Sequence, residues 1–281
     1  MHWVDLILDL VALLLWLLML RAGVRMATRS GGPGPRLAWW QRLWLARRYQ
    51  LMILAALAAL LAGRGWLYWR LGPALGWVPY VDLGAVALVF NVRALPPMWL
   101  YSGLSFGVTV SIYYLWLIFL SVINRKLPDT ESLQSTIRRQ LGWFQRFPLI
   151  LKVLLPFVAV FVLWYLGHDF LTQAGLMPRA VSELQVVQRG LILAAGIVLA
   201  WKYLILGLLA LHWVGTYLYV GSYAVLGFAH ATARALLWPI GFLPLTFGRL
   251  DFAPPVAAAI YWGGMVVLEK VLFQLFQRAP L

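Results

Sequence analysis

The sequence has no cysteine. That removes disulfides, thiolate metal sites and cysteine nucleophiles together. Charge is scarce as well: 9 Asp and Glu stand against 23 Lys and Arg, and charged residues make up 11% of the chain, where soluble domains carry about 25%. The few carboxylates lie mostly at the ends of apolar runs. No paired carboxylates, nucleophile–base arrangement or phosphate-cradling glycine loop takes shape, so no catalytic residue is nominated. No His-x-x-x-His spacing or carboxylate cluster suggests a metal site. The net charge of +14 does not point to nucleic acid either, because no stretch is long and polar enough to form a soluble basic domain.

What is present is apolar. Hydrophobic residues make up 63% of the chain, with 16 Trp among them, which reads as an integral membrane protein. The N-terminal run is not a signal peptide, which would carry positive charge first and a small-residue cleavage site last. Here Asp5 and Asp9 precede and Arg21, Arg25 and Arg29 follow, the order of a retained helix with its N-terminus outside. A span needs about 20 apolar residues. Met98–Ile123 and Tyr203–Ala229 meet that requirement, the latter with His212 as its one titratable group other than Tyr. Phe147–Gly167 spans if Lys152 snorkels to the interface. Ala253–Leu268, Trp3–Leu20 with its acids near the outer surface, and Tyr49–Trp69, interrupted by Arg64, complete six spans. Val81–Leu95 and Gly190–Trp201 are open. Each could extend the following helix, lie at the interface, or form a kinked first half. Pro96 and Pro97 would break the first, whereas 186–229 could be one long helix.

Orientation follows the short-loop cations. Residues 21–48 hold arginines and no acid. Residues 124–146 hold Arg125, Lys126, Arg138, Arg139 and Arg146 against Asp129 and Glu131. Both loops are expected on the cytoplasmic side, and both termini outside. The expected fold is all-α and polytopic, with about six transmembrane helices, interfacial helices and two parallel helical-hairpin repeats. In the repeats, "LLPFVAVFVLWY" (154–165) after one long span answers "APPVAAAIYW" (253–262) after the other. The domains are 1–95, an N-terminal membrane extension, then hairpins over 96–175 and 186–281. Inverted repeats are a common transporter pattern, and parallel ones do not favour that reading.

The connection "ARALLWPIGFLPLTFGRLDFAPPVAA" ahead of the last span carries Trp238, Pro239, Pro244, Gly248, Asp251, Phe252, Ala253 and Pro254. In these residues the second hairpin resembles the YggT (YlmG) family of small bacterial and plastid membrane proteins. The first hairpin is similar only in outline, with Pro148 and Pro156 but without the Gly-x-Asp element. The resemblance implies a helical membrane protein without established enzymatic activity. Members of the family are associated with membrane organisation, division-site and nucleoid distribution, osmotic tolerance and, in plastids, haem attachment during cytochrome b6f assembly. It therefore implies a scaffold, accessory subunit or assembly factor in the cell membrane, the inner membrane of a bacterium.

Several residues are candidates in their own right. Asp251 is expected to cap the last helix, with Pro254 in its first turn. Arg249 either pairs with Asp251 to hold the turn or meets a headgroup or partner. His212, inside a span, could ligate haem or a pigment or hydrogen-bond a neighbouring helix; His168 and His230 fall at span ends. Asn91 and Arg93 are a polar pair in an apolar segment, snorkelling or pairing with Asp82. In "LAWWQRLWLARRYQ", Trp39, Trp40, Arg42, Trp44, Arg47 and Arg48 read as an amphipathic helix on the cytoplasmic leaflet, facing anionic lipid. The alanines of "ILAALAALLAG" (53–63) form a face on which helices can approach closely. The expected partners are anionic lipids and other membrane proteins. The alternatives are a small-solute or ion channel or transporter lined by His212, Arg93 or Asp251, and a haem- or pigment-binding subunit. No resident cofactor is assigned.

Overall fold

The structure is a computed structural model that describes residues 2–28, 39–125, 132–177, 180, 182–217, 224–241, 245–247 and 250–278; within these, the side chains of 2, 21–28, 39–46, 132, 246–247 and 250 are not described. Helices dominate. Six are long and apolar enough to cross a membrane: Trp3–Leu20, Arg47–Leu71, Leu95–Ile123, Leu149–Gln173, Glu183–Tyr217 and Ala253–Arg278. The architecture is all-α and multi-pass. Many large apolar side chains point outward, Ile150, Leu163 and Leu166 among them. A bilayer accepts such a surface because lipid tails are as apolar as leucine.

The chain divides into two compact units. The first comprises Met1–Val81 and Leu88–Ser111. It contains α1 (His2–Thr28), α2 (Trp39–Leu71) and the first part of α3 (Leu95–Ile123). Helix α2 is unbroken, so the segment expected as a separate helix lying on the leaflet is the start of the span helix itself. No Gly or Pro between Trp39 and Gly63 gives the backbone a place to turn. Val81–Leu95 is no interfacial helix. It carries two three-residue strands, β1 (Tyr80–Asp82) and β2 (Ala87–Val89), which pair. In each strand a buried residue, Val81 or Leu88, lies between two exposed ones, Tyr80 and Asp82 or Ala87 and Val89. Pro96 and Pro97 begin α3 instead of breaking a helix, because first-turn amides have no intrahelical acceptor.

The second unit comprises Asp82–Ala87 and Ile112–Leu281. It holds the end of α3, α4 (Ser132–Leu141), α5 (Leu149–Gln173), α6 (Glu183–Gly196), α7 (Lys202–Tyr217), α8 (Ala224–Leu237) and α9 (Ala253–Arg278), with a small antiparallel pair, β3 (Thr246–Phe247) and β4 (Leu250–Asp251). The fifth span corrects the expectation of Tyr203–Ala229. It starts at Glu183, capped by Ser182, and ends at Tyr217. Gly190–Trp201 belongs to it through a 3-10 turn at Ile197–Trp201. In that turn the carbonyl of Ala200 accepts from Trp116 Nε1 at 2.6 Å, while Trp201 Nε1 donates to the Leu115 carbonyl at 3.2 Å.

The chain order span, short amphipathic helix, 3-10 turn, span occurs twice, in α3–α4–α5 and in α7–α8–α9. Helix α4 buries Gln134, Ile137 and Leu141. Helix α8 buries Phe228, Ala229, Thr232, Ala233 and Leu236. Both sets follow helical spacing. Pro156 lies inside α5, however, whereas Pro254 lies in the first turn of α9, so the two prolines are not equivalent. Pro148, the N-cap of α5, is nearer in place to Pro254. Ile205, Leu209, Ala233, Leu236, Ile240 and Ala257 form one core, and Leu117, Ile118, Ile137, Leu141 and Phe228 another. Between them runs a buried polar chain. Asn124 Nδ2 donates to Thr232 Oγ1 at 2.8 Å, and Gln134 Nε2 donates to the Asn124 carbonyl at 3.1 Å.

Candidate functional site

Three helices of the first unit each contribute two polar side chains one turn apart: Asp5 and Asp9 from α1, Arg64 and Tyr68 from α2, Tyr101 and Ser105 from α3. The i,i+4 spacing puts each pair on one helix face. Arg64, only 3% exposed, lies at the centre. Its Nη1 donates to Asp9 Oδ1 at 2.5 Å and its Nη2 to Asp9 Oδ2 at 3.2 Å, a two-pronged contact. Nη2 also pairs with Asp5 and reaches Ser105 Oγ at 3.2 Å, and Nε donates to the Tyr68 hydroxyl at 3.1 Å. The hydroxyls of Tyr68 (2.6 Å) and Tyr101 donate to Asp5, and Ser105 Oγ donates to Asp9 Oδ2 at 2.8 Å.

Aromatic rings wall this cluster. Trp77 lies edge-on to Tyr68 at 4.8 Å and to Tyr101 at 5.7 Å, and Phe90 packs on Tyr101 at 5.4 Å. The approach of α3 to α2 is close. A Cβ on Gly65 would lie 2.4 Å from Trp99 Cδ1 and 3.2 Å from the Met98 carbonyl oxygen, so only glycine fits beside Arg64. Chemically the cluster is a cation shared by two carboxylates in a medium of low dielectric. There each ion pair is strong and each lost partner costly. Asp5 and Asp9 were expected near the outer surface and Arg64 as an interruption. The legible signal was an acid pair at i,i+4 in one apolar helix and a lone arginine in another, since intramembrane charges seek one another.

His212 of α7 meets His230 of α8. Their Nδ1 atoms are 2.5 Å apart, with ring planes at 77°. A Cβ on Gly215 would crowd His230 Nε2 at 3.0 Å, so the ring seats over a bare stretch of α7 backbone. His230, set aside as a span-end residue in the sequence, is thus the partner of His212. One imidazole donates and the other accepts. Two nitrogens on one tetrahedral ion with bonds of about 2.0–2.1 Å would stand roughly 3.3 Å apart, so the rings bond to each other rather than splay around a metal. Among the described residues no group of three or more His, Asp or Glu is placed to hold one. Thr216 Oγ1 donates to the backbone carbonyl of His212 at 2.8 Å.

At the start of α9, Asp251 Oδ1 accepts from the Ala253 N–H at 2.9 Å, and the Asp251 N–H donates to the Tyr217 hydroxyl at 2.5 Å. The helix begins at Ala253, so Asp251 caps from one residue earlier than the N-cap position expected for it. Phe252 takes that place, and its N–H donates to the Leu245 carbonyl. Pro254 is buried in the first turn, and Pro239 lies in the 3-10 turn after α8. Pro244, Gly248 and Arg249 lie outside the described residues, as do the side chains of Trp39, Trp40, Arg42 and Trp44; Arg47 and Arg48 are exposed. Arg93 is exposed in a loop, its N–H donating to Asn91 Oδ1 at 3.0 Å, and Asp82 Oδ1 accepts from the Gly84 N–H at 2.8 Å. Comparison with known families, with curated proteins and with solved structures finds no match for this chain.

Proposed function

We propose that the chain is a non-enzymatic membrane scaffold or accessory subunit, an assembly factor of the YggT type in the bacterial inner membrane. The observation that carries this reading is the two-sidedness of α2. Leu57, Arg64, Gly65 and Tyr68 are buried, while Ala55, Ala59 and Ala62 on the opposite face are exposed. Spacing of i, i+4 and i+7 aligns the three alanines. In lipid, where apolar burial drives little, such a row lets a second helix come close enough for dispersion contacts. The ion-pair cluster behind it fixes the direction of that face. A helix of another membrane protein is the partner that such a face fits.

The test is affinity purification of the full chain from native membranes, with and without Ala55, Ala59 and Ala62 changed to Leu. The expected result is a co-purifying membrane protein that the leucine variant loses while its own yield and helicity persist. A wild-type chain that purifies alone would sink the reading. A second reading, an ion channel or transporter, is favoured by two carboxylates sharing one guanidinium inside spans. Its test is ion flux into liposomes containing the wild-type chain or Asp9→Asn, and equal flux in the two rejects it.

A further inference from the structure

We propose that a cavity where α5 ends and α6 begins holds a primary ammonium group, carried by a lipid headgroup or by a small free amine. Both helices belong to spans, Leu149–Gln173 and Glu183–Tyr217, so the cavity lies at a bilayer face. Its volume is about 460 Å³, within the range of small-ligand sites. His168, Asp169, Thr172 and Gln173 line it from α5, and Ser182 and Glu183 from the start of α6. The imidazole is held in place. His168, 5% exposed, packs on Trp164 with ring centroids 5.5 Å apart. Trp164 Nε1 donates to the Val186 carbonyl at 3.0 Å, and a Cβ on Gly190 would lie 2.7 Å from Trp164 Cδ1. The indole is thus seated tightly against α6, and His168 rests on the indole.

The lining is rich in acceptors. Ionised Asp169 and Glu183 can only accept. The one hydroxyl hydrogen of Thr172 goes to the Asp169 carbonyl at 2.8 Å, so this side chain also can only accept from a group in the cavity. His168 Nδ1 is buried and has no hydrogen-bond partner among the described residues. With the ring proton on Nε2, that nitrogen is one more acceptor, and a buried acceptor left unmet is costly. No Lys or Arg is among the described lining residues. Helix N-termini draw anions. At α6, however, the Ser182 side chain accepts from the Gln185 N–H, and Glu183 already puts a carboxylate in the first turn. A positive group with several N–H donors fits this lining. A primary ammonium has three, whereas a trimethylammonium has the charge and no N–H. A metal ion fits less well, because among the described residues no three His, Asp or Glu are placed to ligate one. Phe170 and Leu184, next in sequence to Asp169 and Glu183, are exposed apolar side chains, so lipid tails meet the same helix ends. The site is independent of the scaffold reading.

The experiment has two arms, both on the full chain in detergent. In the first, equal amounts of phosphatidylethanolamine and phosphatidylcholine with identical acyl chains are offered, and native mass spectrometry reads which is retained. The two lipids share the phosphodiester, so a preference isolates the ammonium. In the second, ethanolamine or choline is offered to the delipidated chain, and saturation-transfer NMR reads binding. Retention of phosphatidylethanolamine with neither free amine bound assigns the ammonium to a headgroup. Binding of ethanolamine over choline assigns it to a free amine. Asp169 and Glu183 are exposed, so Asp169→Asn and Glu183→Gln should leave the fold intact and each lower the preference roughly two- to fivefold. Asp169→Glu should keep it. His168→Phe retains a ring against Trp164 and removes the acceptor, and should lower the preference as well. No preference for the primary amine in either arm overturns the proposal. So does a variant with both Asp169→Asn and Glu183→Gln that keeps the preference while circular dichroism shows wild-type helix content.

Discussion

Replacing Arg64 by Met tests the central claim about the first unit. The guanidinium is buried, and the side chains of Asp5 and Asp9 are only 16% and 12% exposed. The substitution removes the cation and leaves both carboxylates among Tyr68, Tyr101 and Ser105. Breaking one buried pair costs about 3–5 kcal/mol, and here one side chain serves two partners, so the upper part of that range is expected. The three acidic and basic groups should rank in a definite order. Asp5→Asn leaves one carboxylate for one guanidinium and keeps the two-pronged Asp9 contact, so its cost is nearer 1 kcal/mol, that of one weakened hydrogen-bond set. Asp9→Asn also restores the charge balance but breaks that contact, so it falls between. Removing all three charges together should recover much of the loss, because contacting groups are not additive. The assay is SDS titration of the full chain in mixed micelles, followed by circular dichroism. If Arg64→Met unfolds at the wild-type SDS fraction, or if its cost simply adds to that of Asp9→Asn, the cluster is not the lock described.

Gly65→Val should destabilise the first unit by about 1–3 kcal/mol by forcing Trp99 and the Met98 carbonyl away; the same titration reads it, and crosslinking between α2 and α3 should weaken in parallel. Thr232→Val should cost about 1–3 kcal/mol by stranding the buried Asn124 amide, and Asn124→Val less, about 1 kcal/mol, because the Thr232 hydroxyl still donates to the Phe228 carbonyl, while the double variant should cost less than the two together. A double-mutant cycle by thermal denaturation in detergent checks this, and strict additivity would contradict it. His212→Phe and His230→Phe should likewise show less than additive losses, of about 1 kcal/mol each. Nitrogen-15 NMR of the histidine rings in wild type should report one donating and one accepting Nδ1.

Much of the fold was legible because apolar length is a one-dimensional property. Met98–Ile123 and the N-terminal run needed no tertiary information to be read as spans. The fifth span was misplaced because its apolar character does not stop where its helix stops. Tyr217 ends α7, but the sequence beyond it stays as apolar as before, and α8 is a separate amphipathic helix. The hairpin at 80–89 was missed because three-residue strands lie below the reach of alternation patterns. The candidate sites divide in the same way. Asp251 as a cap is a local matter and was readable to within one residue. The Arg64 cluster and the His212–His230 contact join residues far apart in the chain, and nothing in one helix names the helix that will face it. Charge in an apolar run was the one hint available, and for Arg64 it read as weakness in the span.

The separation of that cluster along the chain bears on how the protein is made. Arg64 follows Asp9 by 55 residues, and Tyr101 follows Asp5 by 96. A nascent α1 therefore meets the membrane with two carboxylates whose pairing cation is still to be made, at a cost of up to about 3 kcal/mol for each if placed deep. Its stable position has to wait until α2 has been synthesised, and its hydroxyl donors until α3 has begun. Helix α1, made before α2 and α3, thus settles only after them, and a chain truncated before Arg64 should be recovered poorly from the membrane fraction.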